Sequence, residues 1–478
     1  MYVGRWINTE GVATIKGGEA EFQNITIGSG KNTKGTMTVQ GGTVKCTNEF
    51  ALGKGAGSNS TLIIDGGTFD LRECVQNVYV GNVKNATATM EIKSGTFFSH
   101  RKDFVIGHDN SVAHFIVSGG TYGEMKDGFA TPYNFVIRGT TSNEKIGTLV
   151  ELTAGELNTQ WFSLGQGDVA NGVCTFNMTG GTLNVGGKGE GNFRVGHQDD
   201  GTANISGGQL NIVRTIMVGT GAGGDGILNV IGSGSKWQAA SIDVLSGSSL
   251  NFIAGKLGVN ADGTAIDAVS TINVSGNALL NGAFSINMSD YNYDGVMYVK
   301  GDVNQTMINA GSLTWNPNSI TVSDGWILDT TGTSAVLTLD ETKIAFADVT
   351  SGSAFASGTL GSEGWVKLTG NANDTVTLSM IYGGEGDAED FVAWLQESLS
   401  ESQKDVTISS TFDTISFGNL KLDENGLGYL NYDLSAFNLQ SGANMSFSNV
   451  PEPSTWGLML VGLGVGFFFR KRKETVKA

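Results

Sequence analysis

The chain has 478 residues, 71 of them Gly and only four Pro, with 16% charged residues and a formal net charge of −17. Its apolar content of 39% supports a packed core, which argues against disorder, and its scarcity of Pro excludes a collagen-like chain. An acidic body lacks the cations that a nucleic-acid backbone demands, so nucleic acid is not an expected partner.

The chain repeats from its first residues. Gly-Gly-Thr recurs at 41–43, 66–68, 119–121 and 180–182, with variants at 17–19, 94–96, 154–156 and 207–209. The second residues of these pairs are spaced by 24, 25, 28, 25, 35, 26 and 27 positions. A period in this range signals a solenoid. Three before the second residue stand Ile15, Val39, Ile64, Ile92, Val117, Leu152, Met178 and Ile205. Five before it stand Ala13, Met37, Leu62, Met90, Phe115, Val150, Phe176 and Ala203. Two after it stand Ala20, Val44, Phe69, Phe97, Tyr122, Leu157, Leu183 and Leu210. Apolar residues two apart, with polar ones between, make a strand with one buried face. The Gly pair then turns the chain. A second short strand ends in Ile27-Gly28, Leu52-Gly53, Val80-Gly81, Ile106-Gly107, Leu164-Gly165, Val195-Gly196 or Val218-Gly219. One such unit cannot bury its own apolar face, so neighbours must stack in parallel.

The expectation is an all-β, right-handed parallel β-helix over residues 1–300, in repeats of about 25 residues, with roughly ten turns and a length of order 50 Å. Three cysteines, Cys46, Cys74 and Cys174, do not form a disulfide framework. They read as small buried hydrophobes, with a Cys46–Cys74 bridge open if adjacent turns stack the two.

The same stretch carries few candidates for chemistry. His108 and His197 follow equivalent apolar-Gly steps about three turns apart, or roughly 15 Å, too far to share a metal. They read, with His100 and His114, as loop decoration. The Asp199-Asp200 pair beside Gly201 reads as a solvated turn. Gly219-x-Gly221-x-x-Gly224 has dinucleotide-site spacing, but a strand rather than a helix should follow. No metal site, cofactor or catalytic constellation is expected.

Residues 301–385 read as an irregular β-rich region. Residues 386–405 read as a short amphipathic helix, with Phe391, Trp394, Leu395 and Leu399 on one face of 387–404. Residues 406–449 read as a β-hairpin region turning at Asn425-Gly426, followed by a polar spacer over 435–450.

The last segment, 450–473, has three parts. Pro451-Glu452-Pro453 comes first. An uncharged run follows, with Trp456, Leu458, Leu460, Val461, Leu463, Val465, Phe467, Phe468 and Phe469. Arg470, Lys471, Arg472 and Lys473 close it. Fourteen residues make a helix of roughly 21 Å, short of a hydrocarbon core of about 30 Å. A start at Pro453 and snorkelling by Arg470 and Lys471 bring it near enough to span. The basic cluster then stays cytoplasmic.

This order of features at the C-terminus resembles the PEP-CTERM sorting signal of exported bacterial proteins. The resemblance implies recognition of Pro451-Glu452-Pro453 by an exosortase, a membrane processing enzyme, and cleavage nearby. It also implies transient anchoring in the inner membrane of a Gram-negative-type envelope, a cell-surface or matrix destination, and a link to exopolysaccharide. The repeats are similar to those of autotransporter-like surface proteins. The first residues show no signal peptide. Tyr2-Val3-Gly4 instead matches Tyr79-Val80-Gly81, so the sequence is expected to start within a repeat.

The reading that follows is an exported structural, matrix or adhesin-like protein, not an enzyme. The alternative is a polysaccharide lyase or glycoside hydrolase on the same scaffold. Carboxylates gathered on one face would favour the enzyme, and a ladder of Thr, Asn and Ser would favour binding or structure.

Overall fold

The computed structural model describes residues 1–381 except 100–101, 127–128, 132, 140–146, 168–171, 188, 222, 294, 351–353 and 356–362, together with 410–411, 414–433 and 444–449. Among the described residues no helix forms. The expected helix at 387–404 and the whole of 450–473 lie outside them.

The repeat folds as its pattern requires. In the strand Lys34–Val39, Met37 and Val39 are buried while Thr36 and Thr38 stay half-exposed. Gly42 then turns the chain at φ +75°, and the strand Thr43–Leu52 follows. Gly53 makes the next corner at φ +78°. Gly67 shows why this corner is glycine. Its φ is +69°, and a Cβ there would fall 2.4 Å from the carbonyl oxygen of Gly42 in the turn before.

Stacking these turns builds three parallel ladders. Twelve described strands form the first, from Glu10–Ile15 to Ser319–Val322. Ile15, Val39, Ile64, Ile92, Val117, Leu152, Met178 and Ile205 pair in one register, and Val230, Phe252, Ile286 and Val322 extend the column. The second ladder follows the Gly corner and aligns Phe69, Phe97, Tyr122 and Leu157. The third aligns Ile27, Leu52, Val80, Ile106, Ile137 and Leu164. Twelve turns span roughly 55 Å.

The interior is a run of aromatic rings. Phe97 stacks between Phe69 and Tyr122, with centroids 5.6 Å from each. Phe104, Phe135 and Phe162 stack beside them at 5.6 and 5.2 Å. The two columns meet edge to face, as between Phe104 and Tyr122 at 5.0 Å. All of these rings are fully buried.

Two sequence irregularities have structural causes. The 35-residue spacing between Gly120 and Gly155 accommodates an extra antiparallel pair, Glu124–Lys126 with Phe129–Thr131. The ladders on either side keep their register. The corner strand Asn134–Ile137 of that turn was not anticipated, because Arg138 stands where the turns on either side have Gly107 and Gly165.

Stacking continues past residue 300, to Ser312–Trp315 and Ser319–Val322. These are the last parallel pairings of the two ladders among the described residues. Ser334–Leu339 runs antiparallel to Gln305–Asn309, which ends the parallel pairing of Gln305–Asn309 with Ile272–Asn273.

The chain forms two compact units. The solenoid unit takes Met1–Lys256, Asp267–Tyr291 and Asn304–Thr338, and the second unit takes the rest. In the second unit, Leu427–Asp433 pairs antiparallel with both Val296–Lys300 and Glu363–Thr369. Another sheet orders Ala354–Phe355, Asn444–Asn449, Thr375–Ile381, Thr414–Lys421 and Ser410–Thr411.

This arrangement corrects two expectations. The Asn425-Gly426 turn forms, with Gly426 at φ +75°, but the strands flanking it enter different sheets and make no hairpin. Residues 444–449 form a strand, not a spacer, since Met445 and Phe447 alternate with polar neighbours.

Phe162 has rings at 5.2, 4.9 and 5.1 Å from Phe135, Phe176 and Phe193. Phe162→Ala should destabilise the solenoid by about 3–5 kcal/mol. The outward Thr175→Ala should stay within about 0.5 kcal/mol of the parent. Urea denaturation followed by circular dichroism checks both.

Candidate functional site

Along a strand with one face buried, every second side chain must point out. In parallel stacking these outward residues fall into columns. Asn177 lies between the buried Phe176 and Met178, and so points out. Asn204, Asn229 and Asn251 share its register. Each amide then bonds to the one before it. Asn204 Nδ2 donates to Asn177 Oδ1 at 2.9 Å, Asn229 to Asn204 at 2.7 Å, and Asn251 to Asn229 at 2.8 Å. Ser285 Oγ continues the column with a 2.7 Å bond to Asn251 Oδ1. Earlier turns fill the same column with Thr38, Ile63, Glu91, Ile116 and Glu151. Asn204 and Asn229 each use one N–H and one oxygen lone pair along the column, which leaves a second of each directed away from it.

The second ladder carries a matching column. Asn184 Nδ2 donates to Asn158 Oδ1 at 2.9 Å, and Asn211 Nδ2 donates to Asn184 Oδ1 at 2.8 Å. Glu156 Oε1 accepts a further 2.8 Å bond from Asn184. In register, Gln238 comes next, and beyond it the ladder narrows to the single Ala239–Val274 bridge. A hollow of about 290 Å³ opens at that point. Asn211, Gln238 and Ser275 give it polar groups, and Val213, Ala239 and Ala240 give it apolar ones. No ionisable side chain lines it. Amides with an apolar patch suit a neutral, hydroxyl-rich ligand.

These amides are the functional candidates that sequence reasoning missed. The signal was present as an Asn between two inward residues, in Phe176-Asn-Met178, Ala203-Asn-Ile205, Leu228-Asn-Val230 and Leu250-Asn-Phe252.

The residues considered for catalysis do not converge. His108 and His197 sit three turns apart on the third ladder, as their positions implied. His108 Nδ1 reaches Asn82 O at 3.1 Å, and its ring lies 4.8 Å from Tyr79. His114 pairs with Glu151 at 2.6 Å on the outer face of the first ladder. His100 lies outside the described residues. Asp200 opens a strand, exposed as expected, and its Oδ1 accepts the Asp225 N–H at 3.1 Å. Asp199 is buried, not solvated, at 5% exposure. Neighbouring turns enclose this corner: Asp199 N–H donates to Gly165 O at 2.7 Å, and Asp225 O accepts from Gly201 on the other side. After the Gly219-x-Gly221 motif comes the strand Gly226–Gln238, so no helix N-terminus is presented. Among the described residues no group of three His, Cys, Asp or Glu is placed to hold a metal.

The tail residues singled out by sequence, from Pro451-Glu452-Pro453 through Trp456–Phe469 to Arg470–Lys473, lie outside the described residues. For them the comparison with known families is informative. The PEP-CTERM protein-sorting motif matches residues 449–473. The motif marks an exported protein, sorted to the cell envelope through an exosortase, a membrane enzyme. No curated protein and no solved structure matches the chain.

Burial, and then the nearby Arg194 guanidinium, hold the His197 imidazole below the ordinary value. The folded state thus favours its neutral form. This part of the stability is complete above about pH 6.5 and falls as pH drops from there toward the lower folded value. An NMR titration should find His197 below about 6.5, and His197→Gln should lessen the acid loss of stability in that window.

Proposed function

We propose that the protein is an exported structural or adhesin-like component of the cell surface or extracellular matrix, whose solenoid binds a neutral, hydroxyl-rich polymer such as an exopolysaccharide. The amide columns carry this reading. Asn177, Asn204, Asn229 and Asn251 form one continuous hydrogen-bonded ladder on the outside of the first sheet. Such a ladder repeats one donor–acceptor pattern at the strand spacing of about 4.8 Å. It suits a chain-like partner better than a single small molecule. The neutral lining of the hollow beside Gln238 agrees with an uncharged one.

On this reading the chain is a scaffold and performs no reaction on the polymer. The tail supplies delivery. Exosortase would recognise Pro451-Glu452-Pro453 while the run from Trp456 to Phe469 spans the inner membrane and Arg470, Lys471, Arg472 and Lys473 stay cytoplasmic. The match over 449–473 supports the sorting step. The run of apolar residues closed by four cations supports the anchor.

Two measurements test the proposal. Intact-mass and C-terminal peptide analysis of surface and inner-membrane fractions should find a surface form that ends near Pro451–Pro453 and lacks the apolar run. A full tail found only in the inner membrane would refute sorting by tail removal. The surface form should also bind polymer extracted from its own cells without shortening it, and Asn204→Ala with Asn229→Ala should weaken binding at least several-fold. New reducing ends or unsaturated ends would make it an enzyme instead.

A further inference from the structure

Cys46 lies in the strand Thr43–Leu52, and Cys74 lies one turn later in the loop between the strands Asn59–Asp70 and Val78–Val80. Backbone bonds hold that loop against the earlier turn. Val75 and Gln76 N–H both donate to Asn48 O, at 3.2 and 3.1 Å. Cys74 Sγ donates to the Cys46 carbonyl at 3.2 Å. Cys46 Sγ lies 3.1 Å from Glu49 O and 3.3 Å from Gln23 O. The neighbouring Cys74 side chain is the main reason the Cys46 thiol is lowered to about 7, and the same proximity raises Cys74. Both are free thiols in this structure, with exposures of only 1% and 2%. Cys174 differs. It is fully buried, burial pushes its thiol up, and its Sγ contact is the Asp200 carbonyl at 3.5 Å.

We propose that Cys46 and Cys74 close a disulfide once the protein is exported. The inference rests on export alone and is independent of the polymer-binding reading. Disulfides persist outside the cytosol and are rare within it. The oxidant is a disulfide-bearing partner, either an envelope dithiol oxidoreductase or an oxidised small thiol. The Cys46 thiolate attacks one sulfur of that disulfide, whose S–S bond breaks and whose other sulfur leaves as a thiolate. Cys74 then loses its proton and attacks the Cys46 sulfur, which releases the second thiolate. The protein gives up two protons and two electrons, and the oxidant becomes a dithiol.

Access does not require the core to unfold. Arg72, Glu73 and Val75 are exposed around Cys74, so lifting this short loop uncovers the pair. The bridge would tie the loop covalently to the turn before it and restrict the unfolded chain.

The test uses protein released from its own cells, alkylated without reductant in denaturant and then digested. Mass spectrometry should find the Cys46 and Cys74 peptides joined, two hydrogens lighter than their sum, and separated by reductant. Cys174 should be alkylated in the same sample. Reduction should also speed tryptic cleavage after Arg72 several-fold. Alkylation of Cys46 or Cys74 without reductant, an adduct on either one, or an unchanged cleavage rate would overturn the proposal.

Discussion

Each turn of the solenoid depends on the turns beside it for its backbone hydrogen bonds. A parallel strand in this fold has no partner within its own repeat, so its N–H and C=O groups are satisfied only by in-register stacking. The same register aligns the buried side chains. Met37, Leu62, Met90 and Phe115 lie above one another because the Gly corners return the chain to the same point each time. A one-residue slip would turn this apolar column outward, so the core and the ladders hold each other in place. Loop length matters little by comparison. The additional pair at Glu124–Lys126 and Phe129–Thr131 projects from one turn while Phe115 still pairs with Val150.

What the solenoid presents outside follows from the inside. Once alternate residues are committed to the core, those between them form straight columns with no further freedom. The amide column from Asn177 to Asn251 arises where four consecutive strands place Asn in the same slot. Amides at that spacing bond to one another, which orients each and leaves the remaining donors and acceptors in a regular row. The row resembles backbone edges in being directional and repetitive, but it lies on side chains and so avoids the aggregation risk of an open strand edge.

The first unit was far more legible than the second. Its inward columns could be written from spacing and alternation, and the register agrees residue by residue from Ile15 to Ile205. The turn through Asn134–Ile137 was missed because Arg138 replaced the expected Gly, although Phe135 and Ile137 alternate as the others do. The second unit has no period. Its central strand Leu427–Asp433 pairs with Val296–Lys300, more than a hundred residues earlier in the chain. Nothing local announces such a pairing, and the good turn at Asn425-Gly426 suggested a hairpin that long-range pairing overrode.

By itself the sequence determined the all-β repeat, the inward face of each strand, the two glycine corners and the sorting motif at 449–473. These are local properties: alternation, left-handed backbone and a contiguous motif. Only the tertiary structure decided which outward residues meet. It joined amides 27, 25 and 22 positions apart into one ladder, enclosed Asp199, and set Cys74 against Cys46. Those contacts cross between turns joined by loops of unequal length, so they depend on a register that backbone pairing sets and that sequence spacing leaves open.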